Sequence, residues 1–197
     1  SAAHVPSGCP SRASARDMET ARAKAGKEKL SGTMELVEKF EEASRALATP
    51  CVHIDRDQME SGLAAYLHGL GVRSVVVDSD HVRLEAFEHV DAPLADCGVT
   101  DVRWGIASTG TLAIPMTPDN RRTTSLVPPV HVALLGKEDL IPDLTTALDH
   151  LYQGMMKRED RPSSVVFVTG ASRTADIEKT LVVGVHGPKK MFVILTP

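Results

Sequence analysis

The chain is poor in aromatics, in cysteine and in surplus charge, and each shortage closes off a class of function. Phe, Trp and Tyr make up 4% of the 197 residues, and 22 Lys+Arg against 26 Asp+Glu leave a formal charge of −4. A nucleic-acid binder would show a basic stripe with aromatic stacking platforms, so nucleic acid is not an expected partner. The three cysteines, Cys9, Cys51 and Cys97, are odd in number and far apart. They give neither a disulfide framework nor a C-x-x-C metal pair, and they fit a reducing compartment. An iron–sulfur cluster normally takes four Cys thiolates, so the chain is not expected to build one alone. The eight histidines show no H-x-x-x-H spacing, which argues against zinc or non-haem iron. Residues 1–30 lack the apolar centre of a signal peptide, and no apolar run approaches a membrane span. A cytoplasmic protein without a membrane span is the expectation.

What is present is enough for one core. A hydrophobic content of 42% suits a single domain, which at this size buries roughly 70% of its unfolded surface. Pro, Gly and Ser punctuate "SAAHVPSGCPSRASARD", so residues 1–32 read as a flexible N-terminal segment, with Met18 an alternative start, and residues 33–197 as the domain. Leu36, Phe40, Ala43 and Leu47 recur at helical spacing up to Pro50. "CVHI" reads as a strand. In the helix that follows, Asp55 and Gln58 match a capping box, Met59, Leu63, Tyr66, Leu67 and Leu70 form one face, and Gly71 is the stop. "RSVVVD" reads as a central strand buried on both faces, and "RLEAFEHV" as a short helix. "VRWGIASTGTLAI" reads as two extended pieces broken around Gly105 to Gly110. "VHVALL" is a further strand, and "DLIPDLTTALDHLYQGM" a helix with Leu144, Leu148 and Leu151 on one side and Pro142 in its first turn. "SVVFVTG" is a strand, "SRTADIEKTLVV" a helix opening directly after it, and "MFVILT" the last strand. This alternation implies an α/β fold with a mostly parallel sheet flanked by helices.

In such sheets ligands sit beyond the carboxyl ends of strands, where helix N-termini aim N–H groups at an anion. Thr169, Gly170, Ala171, Ser172, Arg173 and Thr174 occupy such a place. Gly170 permits close backbone approach, Ser172 and Thr174 offer hydroxyls, and Arg173 offers a planar donor fork. The same residues also suit a plain helix start, capped by Ser172 or Thr174 with Asp176 on its dipole. "VTGASR" looks like the first turn of short-chain dehydrogenases, but Thr174, Ala175 and Asp176 stand where their glycines would continue, and no Tyr-x-x-x-Lys pair exists. Nor does Gly-Lys-Ser/Thr follow, as a Walker loop requires. Thr109, Gly110 and Thr111 form a second small-residue turn, open to an anion or to a tight strand connection. His186, between glycines, either reaches the same cavity or bonds loop backbone. Arg121 and Arg122 offer a basic pair that closes on a carboxylate or is solvated.

"GIASTGTL" at residues 105–112, "TGASRTADIEKTLVVGVHGP" at residues 169–188 and the strand "MFVIL" resemble the LUD domain of lactate utilization proteins, over most of residues 33–197. The resemblance implies a fold similar to sugar-phosphate isomerases, CoA transferases and formyltetrahydrofolate cyclo-ligases. It also implies a role in oxidising L-lactate to pyruvate, with no cofactor in this chain and iron–sulfur clusters on partner subunits. It tips Thr109, Gly110 and Thr111 towards a ligand role, beside Gly170, Ser172, Arg173, Thr174, Asp176 and His186. Ser108 departs from the family, whose members often carry an acidic residue there. That weakens any carboxylate-nucleophile reading, for which Glu178 is the next candidate or else a solvated residue. The expected function is an accessory, anion-binding component of L-lactate utilization. The alternative is a stand-alone enzyme on a phosphorylated, CoA-linked or folate-like substrate.

Overall fold

Helix α1 (Ala15–Ala46) puts Phe40 fully inside, with Leu36, Val37 and Ala43 half-buried, the stripe that the 3–4 spacing sets out. The computed structural model describes residues 15–117, 121–155, 162–175, 181–183 and 187–197. The helix begins at Ala15, so residues 15–32 share its backbone. Its end is a Schellman turn: Thr49 N–H donates to the Ser44 carbonyl at 2.9 Å and Ala48 N–H to Arg45 at 3.0 Å, with Ala48 at φ 54°. A left-handed alanine is strained there. Ala48→Gly is therefore expected to raise stability by about 0.5–1 kcal/mol, read as a higher urea midpoint.

Strand β1 (Cys51–His53) follows, then a 3-10 turn at Arg56–Gln58 and helix α2 (Met59–Gly69). Asp55 makes no side-chain cap. Its backbone carbonyl takes the Gln58 N–H instead, because the 3-10 turn occupies the place of the expected capping box. Met59, Leu63 and Leu67 are buried as their spacing requires, and Gly71 at φ 77° stops the helix. The chain continues through β2 (Ser74–Asp78), β3 (Glu88–His89), β4 (Cys97–Asp101), β5 (Trp104–Ile106) and β6 (Thr111–Met116). Then come α3 (Arg122–Leu126), β7 (Val130–Gly136), β8 (Leu140–Ile141), α4 (Leu144–His150), β9 (Ser164–Val168), β10 (Arg173–Ala175), β11 (Leu181–Val183) and β12 (Lys190–Thr196).

Six strands form a parallel sheet in the order β1-β12-β7-β4-β2-β3. A four-stranded sheet, β8-β5-β6-β9, packs beside it. One face of the parallel sheet buries Val75, Val99, Val132 and Ile194 against Leu63 and Leu67 of α2. On the other, Ala133, Val193 and Leu195 meet Phe40 together with Leu112 and Ile114 of the small sheet. The α/β architecture with a mostly parallel sheet is the one the alternating pattern implies.

Several elements differ from the expectation. Strand β2 is next to the short border strand β3, while β4 and β7 hold the centre. Residues 83–90 form a turn and β3 instead of a helix: Leu84 sits at φ 54°, and the Glu88 N–H is drawn to the Arg73 carbonyl. Pro142 precedes α4, whose cap is Asp143, accepting the Thr146 N–H at 2.8 Å. Leu144 and Leu148 lie half in solvent while Ala147 and Leu151, one turn apart, face the sheet. The largest departure is at Arg173–Ala175 and Leu181–Val183, which pair antiparallel as β10 and β11, Thr174 opposite Val182. Thr174, Val182 and Val183 are β-branched and suit a pleated ladder better than a helix.

Candidate functional site

Antiparallel pairing of β6 with β9, Leu112 opposite Val168, brings the turn before β6 and the turn after β9 to one end of the small sheet. The hydroxyls there form a chain. Thr109 Oγ1 lies 2.8 Å from Thr111 Oγ1, which lies 2.9 Å from Thr169 Oγ1. Gly110 at φ 63° and Gly170 at φ 82° both lie against the end of α1. A Cβ on Gly110 would stand 2.8 Å from the Ser44 nitrogen, and one on Gly170 would stand 3.2 Å from Leu47 Cβ and 3.3 Å from Thr49 Oγ1. The close approach these glycines allow is to α1. Ser172 joins the same end by donating its N–H to the Pro188 carbonyl at 3.1 Å. Arg173 and Thr174 start β10. Asp176, Glu178 and His186 lie outside the described residues.

The electrostatics of this place differ from those of a helix N-terminus. The N–H groups of Ala107, Ser108, Thr109 and Gly110 donate to the carbonyls of Ile141, Pro142 and Ile106, at 2.8 to 3.3 Å. With a strand following Ser172, no helix dipole adds to them. In the turn before β6 the donors left to a ligand are therefore hydroxyls. Both turns stand at the amino edge of the parallel sheet, since α1 leads into β1 and Pro188 into β12.

The carboxyl edge holds a cavity of about 340 Å³ at the ends of β4, β7 and β12, where Asp101, Gly136 and Thr196 meet Arg56, Glu138 and Asp139. Asp101 accepts the Ser79 hydroxyl at 2.7 Å and the Asp80 N–H at 3.2 Å, and His81 Nε2 is 3.9 Å away. Arg56 pairs with Glu138 and donates Nε to the Pro197 carbonyl at 2.6 Å. Burial raises the Asp139 carboxyl above its ordinary range, against the pull of Arg103 at 3.9 Å. Three carboxylates around one guanidinium repel a polyanion.

A second cavity, of about 420 Å³, lies between the end of α1 and β1, lined by Glu41, Arg45, Thr49, Cys51 and His53 with Ala48 and Pro50. His53 Nε2 bonds the Glu41 carboxylate. The Thr49 hydroxyl is buried and has no hydrogen-bond partner among the described residues. Burial pushes the Cys51 thiol up to about 11, the Ser44 hydroxyl pulling weakly the other way, so it stays neutral at pH 7. Among the described residues no trio of His, Cys, Asp or Glu is placed to hold a metal ion, and Cys51 and Cys97 are free thiols.

Comparison with known proteins places the chain. Residues 13–196 match the LUD domain. The chain belongs to the LUD domain family. Lactate utilization protein C of Oceanobacillus iheyensis is 41% identical over 106 residues, 54% of this chain and 46% of that protein. Its namesake in Bacillus subtilis is 38% identical over 104 residues, 53% of this chain and 43% of that protein. The one in Shouchella clausii is 30% identical over 182 residues, 82% of this chain and 79% of that protein. Against the first two, the chain spans less than half of the relative's length. A crystal structure of a DUF162 family protein from Deinococcus radiodurans shares the fold, with TM-score 0.64 and 20% identity, covering 84% of this chain and 98% of that one. No helix among the described residues is long and apolar enough to cross a membrane.

Of the expected site residues, this LUD domain brings Thr109, Gly110, Thr111, Gly170 and Ser172 to one end. Arg121 does close on a carboxylate, but an internal one: its N–H is 2.8 Å and its Nη2 3.4 Å from the Asp78 carboxylate, which also takes the Thr124 hydroxyl at 2.5 Å. Sequence reasoning missed Arg45, Thr49 and the Glu41–His53 pair, which lie in the helix read up to Pro50 and in the strand "CVHI". It also missed Asp101 and Asp139, although polar residues just past "CGVT" and "VALLG" mark the carboxyl ends of strands.

Proposed function

We propose that this LUD domain chain serves L-lactate utilization as a ligand-binding, accessory component. It holds a small anionic metabolite near the place where the two turns meet the end of α1, and it works beside iron–sulfur subunits. Oxidising L-lactate to pyruvate releases two electrons and two protons. Three cysteines are too few for a cluster of the chain's own, so the electrons go to clusters on the partners. The observation that carries the reading is the 2.9 Å contact of Thr111 with Thr169, which joins the two resemblance-bearing segments into one hydroxyl-rich surface. Relatives called lactate utilization protein C support the physiological setting.

The carboxylates at the opposite edge disfavour that cavity as a seat for the phosphorylated, CoA-linked or folate-like substrates of the alternative reading. Deleting the gene tests the role. Growth on L-lactate as sole carbon source is expected to fail while growth on pyruvate continues. Unimpaired growth on L-lactate, with no related gene compensating, removes the proposal.

A further inference from the structure

Strand β9 closes one side of the small sheet, whose order is β8-β5-β6-β9, and among the described residues no strand pairs with its outer side. Its residues Ser164–Val168, with Ser163 and Thr169 at either end, carry no charge and no proline. Folded proteins commonly shorten, charge or cover an open edge, because its free N–H and C=O groups take on another strand. The far side of the small sheet obeys that rule, since β8 is only two residues long. Strand β9 shows none of these guards. Its side chains divide between two faces. Val166 and Val168 pack on the cluster around Phe40 and Leu112, whereas Val165 lies with Trp104 and Ala113 on the face that α4 covers. Phe167 stands opposite Ala113 and therefore on the α4 face, yet it is 38% exposed.

We infer that β9 is a dimer edge, where two copies of this chain pair antiparallel about Val166 and join their small sheets into one. In that register Val166 meets its own counterpart, and Phe167 of each copy lies opposite the partner's Val165. This is an aromatic–β-branched cross-strand pair, made twice. A second copy fits better than an unrelated strand because the segment complements itself. With no ionisable side chain from Ser163 to Thr169, identical strands approach without repulsion, and each exposed Phe167 gains its cover from the other copy. The contact is isologous and closes on itself. Head-to-tail stacking would need β9 to pair with β8, whose two residues offer too little backbone. A five-residue ladder buries less than the roughly 800 Å² per partner of a standard interface, so the dimer is expected to dissociate at about 1–50 µM.

Sedimentation velocity on the full chain up to about 200 µM, combined with amide hydrogen exchange, tests this. A monomer–dimer equilibrium is expected, with the amides of residues 164–168 slowed at high concentration and released on dilution. Phe167→Lys sets like charges close together where the copies meet and is expected to raise the dissociation constant about a hundredfold. Ser164→Lys, at the exposed start of the strand, is expected to raise it about tenfold and keeps the test decisive if the first variant unfolds. Leu94→Lys, 74% exposed between β3 and β4, is expected to leave it unchanged. The inference is overturned if the chain stays monomeric to that limit, which leaves the edge to another protein's strand. It is equally overturned if the dimer keeps its strength in Ser164→Lys, if Leu94→Lys weakens it as much, or if exchange slows elsewhere and not at residues 164–168.

Discussion

Gly98→Ala is expected to lower the unfolding free energy by about 3 kcal/mol or more, the upper end of what overpacking costs. Gly98 lies in β4 directly beneath α3. A Cβ there falls on the Thr124 carbonyl oxygen, 3.0 Å from its carbon and 3.2 Å from Pro128 Cγ. Backbone has to move, and α3 is only five residues long, anchored by the bonds of Thr124 and Arg121 to Asp78. Lifting it leaves a buried carboxylate short of donors, which adds to the cost. Urea unfolding followed by circular dichroism measures the loss. Gly69→Ala is the comparison: nothing lies within 4 Å of its Cβ, so stability is expected to hold or rise slightly. Equal stability of Gly98→Ala and the parent would contradict the packing of α3 on β4.

The second large effect is an acid-side loss of stability from His131. This residue is fully buried in β7, its Nε2 2.9 Å from the Thr100 hydroxyl and its Nδ1 without a partner among the described residues. Burial lowers its pKa from the usual 6.5 to about 4. Between those values the unfolded chain takes up a proton that the folded one refuses, so stability falls as pH drops from 6.5 towards 4. At about 1.4 kcal/mol per pH unit the loss amounts to roughly 3 kcal/mol, complete below pH 4. His131→Gln retains a partner for Thr100 and removes the titration. Its unfolding free energy is expected to stay nearly flat across that window while the parent's declines. Asp96, held low chiefly by the Arg73 N–H, and Asp143, held low chiefly by the Thr146 N–H, add losses only at more acid pH. Parallel pH profiles for parent and variant would show that His131 is not the group responsible.

The fold was legible where periodicity and composition agree. The runs that became β2, β7 and β12 are β-branched and long enough to be read as buried strands, and the Leu36–Phe40 and Met59–Leu67 stripes have one helical solution. Legibility failed where a short segment obeys a distant partner. Residues 83–90 carry helix-forming Leu, Glu and Ala, yet the open border of β2 captures Glu88 and His89. The segment after Ser172 carries a cap-like Ser and good helix formers, yet Arg173–Ala175 and Leu181–Val183 pair as β10 and β11. The convergence of Thr109, Thr111 and Thr169 followed from family-like motifs, not from spacing, because the residues are 58 or more apart along the chain except for the first pair. Arg45 and Thr49 become noticeable only once the Schellman turn of α1 brings the chain round into β1.

The borders of the parallel sheet have one more implication. At one side stands β1, three residues long with His53 exposed and tied to Glu41; at the other stands β3, two residues long with both Glu88 and His89 exposed. Such brief, charged margins give another chain little backbone to zip onto. Copies of this protein are thereby guarded against zipping together along the borders of the parallel sheet.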